Sequence, residues 1–579
     1  MSAQNKLQIN GISVPVVLPL SGQVSAFRRQ RVLPRWLIWA RVLVICVTLV
    51  GLGFRLHGIA YGLPYFYGPP EVEAVRTGFA RATASGSDEP QFVNATMRLL
   101  AHRSLNPEYF AQPGTPLMYM GAVLYVGVIG TGLVSGAFAS IEDASVLFAS
   151  DPTIFYLTFR LLVAVIGAAS VPLVYMIGRR MFGRRAGLIA AAVFAVSPIH
   201  VYLSKVIRGD VLMIFFLLAA FWFCLDIVQR ASWRGYVLAG AMTGLAVVCK
   251  YPAATFIPVI VAAHLLAGKM DHRKLVASGA ACVAGAFIGS PYVFLDFAAV
   301  LAAVRQESLV HLSGVGKGFL PDLVWYLGSP LVNSISAAGV VLMVVGVGLC
   351  VASKDRARWL LLLFPLIFIV FITGVGILWE RWIVPAIPFL CLIAGFAAVW
   401  IADRLGRIQK QAGVAAVMGA ARVMSLPLAQ LSVLHGDYLI APETRTLARA
   451  WMLEHIPQGT RVLLERHGPQ PPKALFTTFE ERRGEVTPID ISQRTEHLYA
   501  VGELGLLKDF DQIGATGIEY MVLTDYYSRY LEEAAAWPEM IARYETLRGM
   551  GEIIYEIKAQ AGAYSGPHIT IIRLNNAET

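Results

Sequence analysis

Charge is scarce in this chain. Only 15% of its 579 residues are Asp, Glu, Lys or Arg, and 56% are hydrophobic. A soluble domain carries about 25% charged residues, so a soluble enzyme is all but excluded. A disordered chain is excluded as well, because disorder goes with low apolar content. Cysteine is also scarce: Cys46, Cys224, Cys249, Cys282, Cys350 and Cys391, with none after position 391. All six sit in or at the ends of apolar segments. No spacing among them resembles a zinc site or a disulfide framework, so they read as buried thiols. Internal repeats and low-complexity tracts are missing, which removes support from an inverted-repeat transporter. No small-residue cleavage site follows the first apolar run, Trp36 to Phe54, so that run reads as an anchor with a basic flank of Arg28, Arg29, Arg31 and Arg35.

What the chain does have is a series of apolar runs of membrane length. Eleven spans are expected near 36–54, 154–178, 186–205, 211–228, 236–250, 252–268, 275–294, 334–353, 360–377, 383–402 and 412–434. The formal net charge is +10, and much of the basic charge lies in short loops between these runs. It therefore speaks for membrane orientation, and a nucleic-acid partner is not expected. Five basic loops fall on one side when the N-terminus is cytoplasmic: Arg179, Arg180, Arg184 and Arg185; Arg230 and Arg234; Lys269, Arg273 and Lys274; Lys354, Arg356 and Arg358; Arg404, Arg407 and Lys410. Residues 114–134 are apolar enough for a twelfth span, but a crossing there would invert every later loop. That segment reads as an interfacial or re-entrant helix on the outer side.

The expected organisation is a polytopic α-helical membrane protein with a C-terminal soluble α/β domain. Residues 1–35 form a cytoplasmic segment and 36–434 the membrane-embedded part, with outer loops at 55–153 and 295–333. Residues 435–579 are polar and cysteine-free. They predict a helix over Glu443 to His455, ended by Ile456-Pro457, and strands at 461–465, 520–524 and 569–572. With eleven spans and the N-terminus inside, this domain lies outside the cell membrane.

Charged residues at membrane depth are costly and therefore functional candidates. The outer face carries an unusual set: Asp88 and Glu89 in the first outer loop, Arg160 inside the second span, Lys205, Arg208 and Asp210 between the third and fourth, Lys250 between the fifth and sixth, and Glu380 and Arg381 between the ninth and tenth. Positive residues on that face run against the usual bias, and together they suggest an anion site. The plainer readings are cations that snorkel to headgroups, a local Glu380–Arg381 ion pair, and an Asp88 that caps the helix beginning Glu89-Pro90. A carboxylate facing several cations at a cavity mouth suits either a general base or a metal ligand.

The run Asp88-Glu-Pro-Gln-Phe-Val-Asn-Ala-Thr-Met-Arg-Leu-Leu100, continued by Leu105-Asn-Pro-Glu-Tyr-Phe-Ala-Gln-Pro113, resembles the first outer loop of the GT-C superfamily of glycosyltransferases. The likeness is to its lipid-carrier-dependent group, which includes protein O-mannosyltransferases and lipid A aminoarabinose transferases. Further stretches agree in order: Arg160 to Gly167, Gly183 to Gly187, Ser197 to Val201, Arg208-Gly-Asp210, Gly244 to Tyr251, and Arg381 to Pro388. One departure is the position of the acidic pair: the family often places it soon after the first span, whereas here residues 55–87 intervene, which leaves Glu71 and Glu73 as rival early carboxylates.

The resemblance implies an inverting hexosyl- or pentosyltransferase that takes its sugar from a polyisoprenyl phosphate and passes it to an acceptor hydroxyl on the outer face. It implies Asp88 as general base, Glu89 or Asp210 as orienting carboxylates, and Arg160, Arg208, Lys250 and Arg381 on the donor phosphate. No cofactor is implied. A divalent metal is used by some relatives, and Asp88 and Asp210 would then be its ligands. The acceptor is a protein, a lipid or a polysaccharide, and the setting implied is a bacterial inner membrane. Two other readings compete: a transporter or flippase of an anionic lipid-linked glycan, and a noncatalytic polysaccharide-assembly protein.

Overall fold

A computed structural model of the chain describes residues 6–9, 12–15, 35–63, 88–268, 271–312, 316–376 and 378–457, and in the C-terminal part 459–465, 468–469, 481–482, 485–486, 500–503, 518–532, 534, 538–560 and 562–575. Glu71, Glu73, Lys269, Arg28, Arg29 and Arg31 lie outside the described residues. Residues 1–42 and 43–579 form two separate units. The first contains an antiparallel hairpin of β1 (Lys6–Ile9) and β2 (Ile12–Pro15).

The second unit is dominated by helices. Arg35–Leu56, which begins in the first unit, Thr153–Phe182, Asp210–Arg230, Arg356–Val375 and Lys410–Ile440 correspond to predicted runs. Six described helices are long and apolar enough to cross a membrane, or seven if the pair Phe319–Ile335 and Ala337–Val351, bent by 111°, is one span. Several expected spans are broken. The run at 186–205 becomes Arg184–Ala195 followed by Pro198–Leu203, because Pro198 cannot donate a backbone hydrogen bond and starts a new turn. The runs at 252–268 and 383–402 each begin with a 3-10 turn, Tyr251–Phe256 and Glu380–Ala386, before Ile257–Ala267 and Ile387–Ile408.

The segment expected to be interfacial is one continuous helix, Thr115–Ser135, of spanning length. Its packing is uneven. Tyr125 meets Phe155 and Phe159 edge-on, with ring centroids 5.0 and 5.9 Å apart, so it touches the first two turns of Thr153–Phe182. Its first residue, Thr115, accepts a hydrogen bond from Ser290 (2.9 Å), just past the end of His272–Gly289.

The C-terminal part is built on a five-stranded sheet in the order β6 (Ala500–Glu503), β3 (Arg461–Leu464), β7 (Tyr520–Leu523), β9 (Ile569–Leu574), β8 (Gly551–Ile557). The first three strands are parallel, and β9 pairs antiparallel with both β7 and β8, while β4 (Glu481–Arg482) and β5 (Glu485–Val486) form a separate antiparallel pair. Alternation along the strands divides the core in two. Val462, Leu464, Val522 and Ile571 pack with Ala448 and Met452 of the Thr444–His455 helix. Leu463, Met521, Leu523 and Ile572 pack with Tyr544 and Leu547 of the Pro538–Gly549 helix. Tyr527 and Tyr530 pack against that second core, their rings 5.7 and 5.9 Å from Tyr544.

Candidate active site

The nominated charged residues meet at helix ends. Asp88 occupies the N-cap position of the Glu89–Ala101 helix, yet its side chain caps no backbone N–H. The capping explanation for this carboxylate therefore fails. Its Oδ2 instead receives the Arg208 guanidinium, and its Oδ1 accepts a long contact from Gln112 Nε2 at 3.5 Å.

Arg208 lies in the short turn between Pro198–Leu203 and Asp210–Arg230. Its Nε is 3.4 Å from Asp210 Oδ2. Asp210 opens its helix, where the unpaired N–H groups favour negative charge. Its other oxygen takes Lys250 Nζ. Lys250 sits in extended backbone at the break between Trp233–Cys249 and the 3-10 turn that follows, so its side chain leaves the helix axis toward Asp210. The result is an alternating chain Asp88–Arg208–Asp210–Lys250, with side chains between 4% and 19% exposed. Gly209 makes it possible: a Cβ there would run into the Cys249 carbonyl, and the two helix ends could not meet.

Arg381 completes the group from the 3-10 turn Glu380–Ala386. Its guanidinium lies 4.1 Å from the Trp379 ring centre. Its Nε is buried and has no hydrogen-bond partner among the described residues. No ion pair joins Glu380 and Arg381 among the described residues, and Glu380 is exposed. Lys250 Nζ lies 5.7 Å from the Trp382 ring centre.

Glu89 and Arg160 are placed differently from the rest. Both side chains are fully buried. Arg160 Nε donates to Glu89 Oε1 at 2.8 Å and Nη2 to Oε2 at 2.5 Å, a two-pronged pair. Arg160 Nη1 donates to the carbonyls of Ile59 and Tyr61 at 2.8 and 2.7 Å, and the guanidinium stacks 4.1 Å from the Tyr61 ring centre. Glu89 Oε1 also accepts the Ile207 N–H at 3.0 Å. The Arg160 donors expected to hold a phosphate are thus spent inside the protein, and the Glu89 carboxylate expected to orient substrate ties the start of the Glu89–Ala101 helix to the turn that carries Arg208.

The sequence reading missed Gln112, Tyr109 and Arg55. Gln112 and Tyr109 lie within the quoted motif, but an amide and a phenol carry no charge out of place. Tyr109 donates to Gln91 Oε1. Burial, and then the nearby Asp88 charge, push its hydroxyl well above the usual phenol range, so it stays a donor. Arg55 directly follows the first apolar run, where a basic residue is ordinary, and it is fully buried. Lys205, noted among the outer charges, stands apart from the chain of carboxylates and is fully buried. Among the described residues no three His, Cys, Asp or Glu side chains gather as a metal site.

Residues 156–293 match the dolichyl-phosphate-mannose-protein mannosyltransferase family. Over 173 residues the chain is 29% identical to YkcB of Bacillus subtilis (strain 168), which is named as a mannosyltransferase; the match covers 30% of this chain and 22% of that protein's length. The oligosaccharyltransferase of Archaeoglobus fulgidus, solved with a tethered acceptor peptide, has the same fold with a TM-score of 0.50 at 14% identity, over 85% of this chain and 71% of that one. ArnT from Cupriavidus metallidurans aligns with a TM-score of 0.48 at 13% identity, over 94% of this chain and 100% of that one. The chain thus has the fold of the GT-C membrane glycosyltransferases, and residues 156–293 within it carry the sequence pattern of the dolichyl-phosphate-mannose-protein mannosyltransferase family.

Proposed function

We propose that this protein transfers a sugar from a polyisoprenyl-phosphate donor to an acceptor hydroxyl at the outer face of the membrane. One observation carries the reading: Asp88, a carboxylate free of any capping duty, faces a row of cations that ends in the uncommitted Nε of Arg381. A base beside cations is what displacement at an anomeric carbon requires when the leaving group is a phosphate. The acceptor oxygen bonds to the anomeric carbon as the bond to the phosphate oxygen breaks. Its proton passes to Asp88, and the electron pair leaves on the lipid phosphate. Arg381, with Lys250 and Arg208 behind it, offsets that developing charge in a site largely closed to water. A single displacement inverts the configuration.

Asp210 holds Arg208 and Lys250 in place. Glu89 and Arg160 act as a brace rather than as contacts to substrate. The names of the matching family and of YkcB favour a mannose-like sugar and a phosphate-linked lipid donor. A juxtamembrane position for Thr115–Ser135 and an outward-facing site are favoured by the five basic loops, which fall on one side if this helix does not cross. That orientation places the C-terminal sheet outside and the N-terminus inside a bacterial inner membrane.

The test is an assay of the purified protein with radiolabelled polyprenyl-phosphate sugars and crude envelope acceptors. Sugar transfer coupled to release of the lipid phosphate supports the reading. Movement of intact donor across a vesicle membrane without release would support a transporter, and neither activity would support an assembly role.

A further inference from the structure

A second group of cations lies around Tyr202, a ring also within reach of the Arg208 and Arg381 charges, and among the described residues it shares no ion pair with the carboxylate chain. Arg55 donates to the carbonyls of Gly51 and Ala195 at 2.6 and 2.9 Å and to Ser204 Oγ at 3.2 Å, and its Nη2 lies 2.7 Å from His200 Nδ1. Every one of these partners is uncharged. Lys205, the next residue after Ser204, is fully buried, and its Nζ has no hydrogen-bond partner among the described residues. His435 Nε2 and His200 Nε2 are likewise buried and without partners. The His435 ring stands edge-on to Tyr202, with centroids 5.0 Å apart, and Lys205 lies close enough for its charge to act on it. The acid of this region, Asp437, has Oδ1 engaged with His57 Nε2 at 2.8 Å and is itself exposed.

Two formal positive charges buried without a bonded carboxylate are unfavourable unless an anion completes them. Donors from an ammonium and two imidazoles, with the guanidinium charge behind them, suit an oxyanion with several acceptor oxygens. The two helices that carry Arg55 and His435 also expose apolar residues, Leu49 and Val50 on one and Leu431, Leu434 and Ile440 on the other. This is the surface on which the chain of an amphiphile would lie, with its headgroup at the cations.

We propose that Lys205 and His435, backed by the charge of Arg55, form a second anion site that binds a phosphate group, distinct from the cations of the candidate donor site. The inference stands whether or not the transferase reading holds.

The test uses the full-length protein in neutral detergent. Thermal unfolding is followed against inorganic phosphate, and retention of phosphatidic acid against phosphatidylcholine is followed by native mass spectrometry. Because the candidate donor site also takes phosphate, each comparison is repeated in the Arg381→Met background, which removes a candidate donor contact, and the response of this second site is expected to remain there. Lys205→Met, matched in length, is expected to lose at least about tenfold in affinity for the responding probe. His435→Asn, at the rim, is expected to lose less and carries the same test should Lys205→Met fail to fold. A response to inorganic phosphate identifies a free-phosphate site, and retention of phosphatidic acid alone identifies a lipid headgroup site. A Lys205→Met protein that responds like wild type, or a wild type that responds to neither probe, overturns the proposal.

Discussion

Arg208 serves two carboxylates at once: its Nη1 meets Asp88 Oδ2 while its Nε stands 3.4 Å from Asp210 Oδ2. The side chain thereby fixes the Asp88 and Asp210 carboxylates relative to each other. Arg208→Met is expected to reduce turnover by about 100-fold or more, since it disturbs base and charge stabilisation together. Arg208→Lys, which supplies one point charge instead of a planar fork, is expected to recover only part of it. Steady-state transfer rates compare the two.

Glu89 and Arg160 form a fully buried pair. Removing one partner leaves the other charged and unpaired, at a cost of about 3–5 kcal/mol. Glu89→Gln and Arg160→Met are therefore each expected to lower the unfolding temperature sharply. The double variant is expected to be less destabilised than the sum of the two, and a double-mutant cycle on unfolding checks it. Additive losses would contradict the brace.

Arg381 differs from Lys250 in being uncommitted at Nε. Arg381→Met is expected to weaken the lipid-phosphate donor by about tenfold or more while leaving the unfolding temperature within about 1 kcal/mol of wild type. Lys250→Met leaves Asp210 with one cation fewer and is expected to lower both donor turnover and stability. Donor titration alongside thermal unfolding separates the two behaviours.

The C-terminal sheet gives a pH prediction. Glu465 follows β3, and its carboxyl accepts from the Thr524 N–H (2.6 Å), the Thr524 hydroxyl (2.8 Å) and Tyr544. Burial raises its pKa above the ordinary 4.5, against the opposing pull of these bonds. A raised value means that the folded state binds the proton more tightly. This contribution to stability is present below pH 4.5 and is lost as pH rises through the raised value. Unfolding of this region in wild type is expected to show that fall, and Glu465→Gln is expected to remove it.

Much of this was legible in the sequence because charge inside an apolar chain is conspicuous. Asp88, Arg208, Asp210, Lys250 and Arg381 stood out as misplaced charges, and the structure brings them to one set of helix ends. Glu89 and Arg160 stood out for the same reason, yet their burial gives them to each other; a sequence shows which charges are unusual and not which of them face one another. Arg55 was hidden by its place at the end of an apolar run, where a basic residue is ordinary. The breaks at Pro198 and before Ile257 and Ile387 were hidden because composition stays apolar through a change of helix type. Hydropathy alone likewise does not separate a spanning Thr115–Ser135 from one lying beside the membrane, since the helix is of spanning length and apolar throughout.

The central claim is that Asp88 is the base of a sugar transfer from a lipid phosphate. The most direct measurement compares wild type and Asp88→Asn for single-turnover transfer from the donor that wild type uses, with donor affinity measured on the same preparations. The account predicts that Asp88→Asn binds donor within about threefold of wild type and transfers at least about 100-fold more slowly. Equal transfer by the two proteins would contradict it.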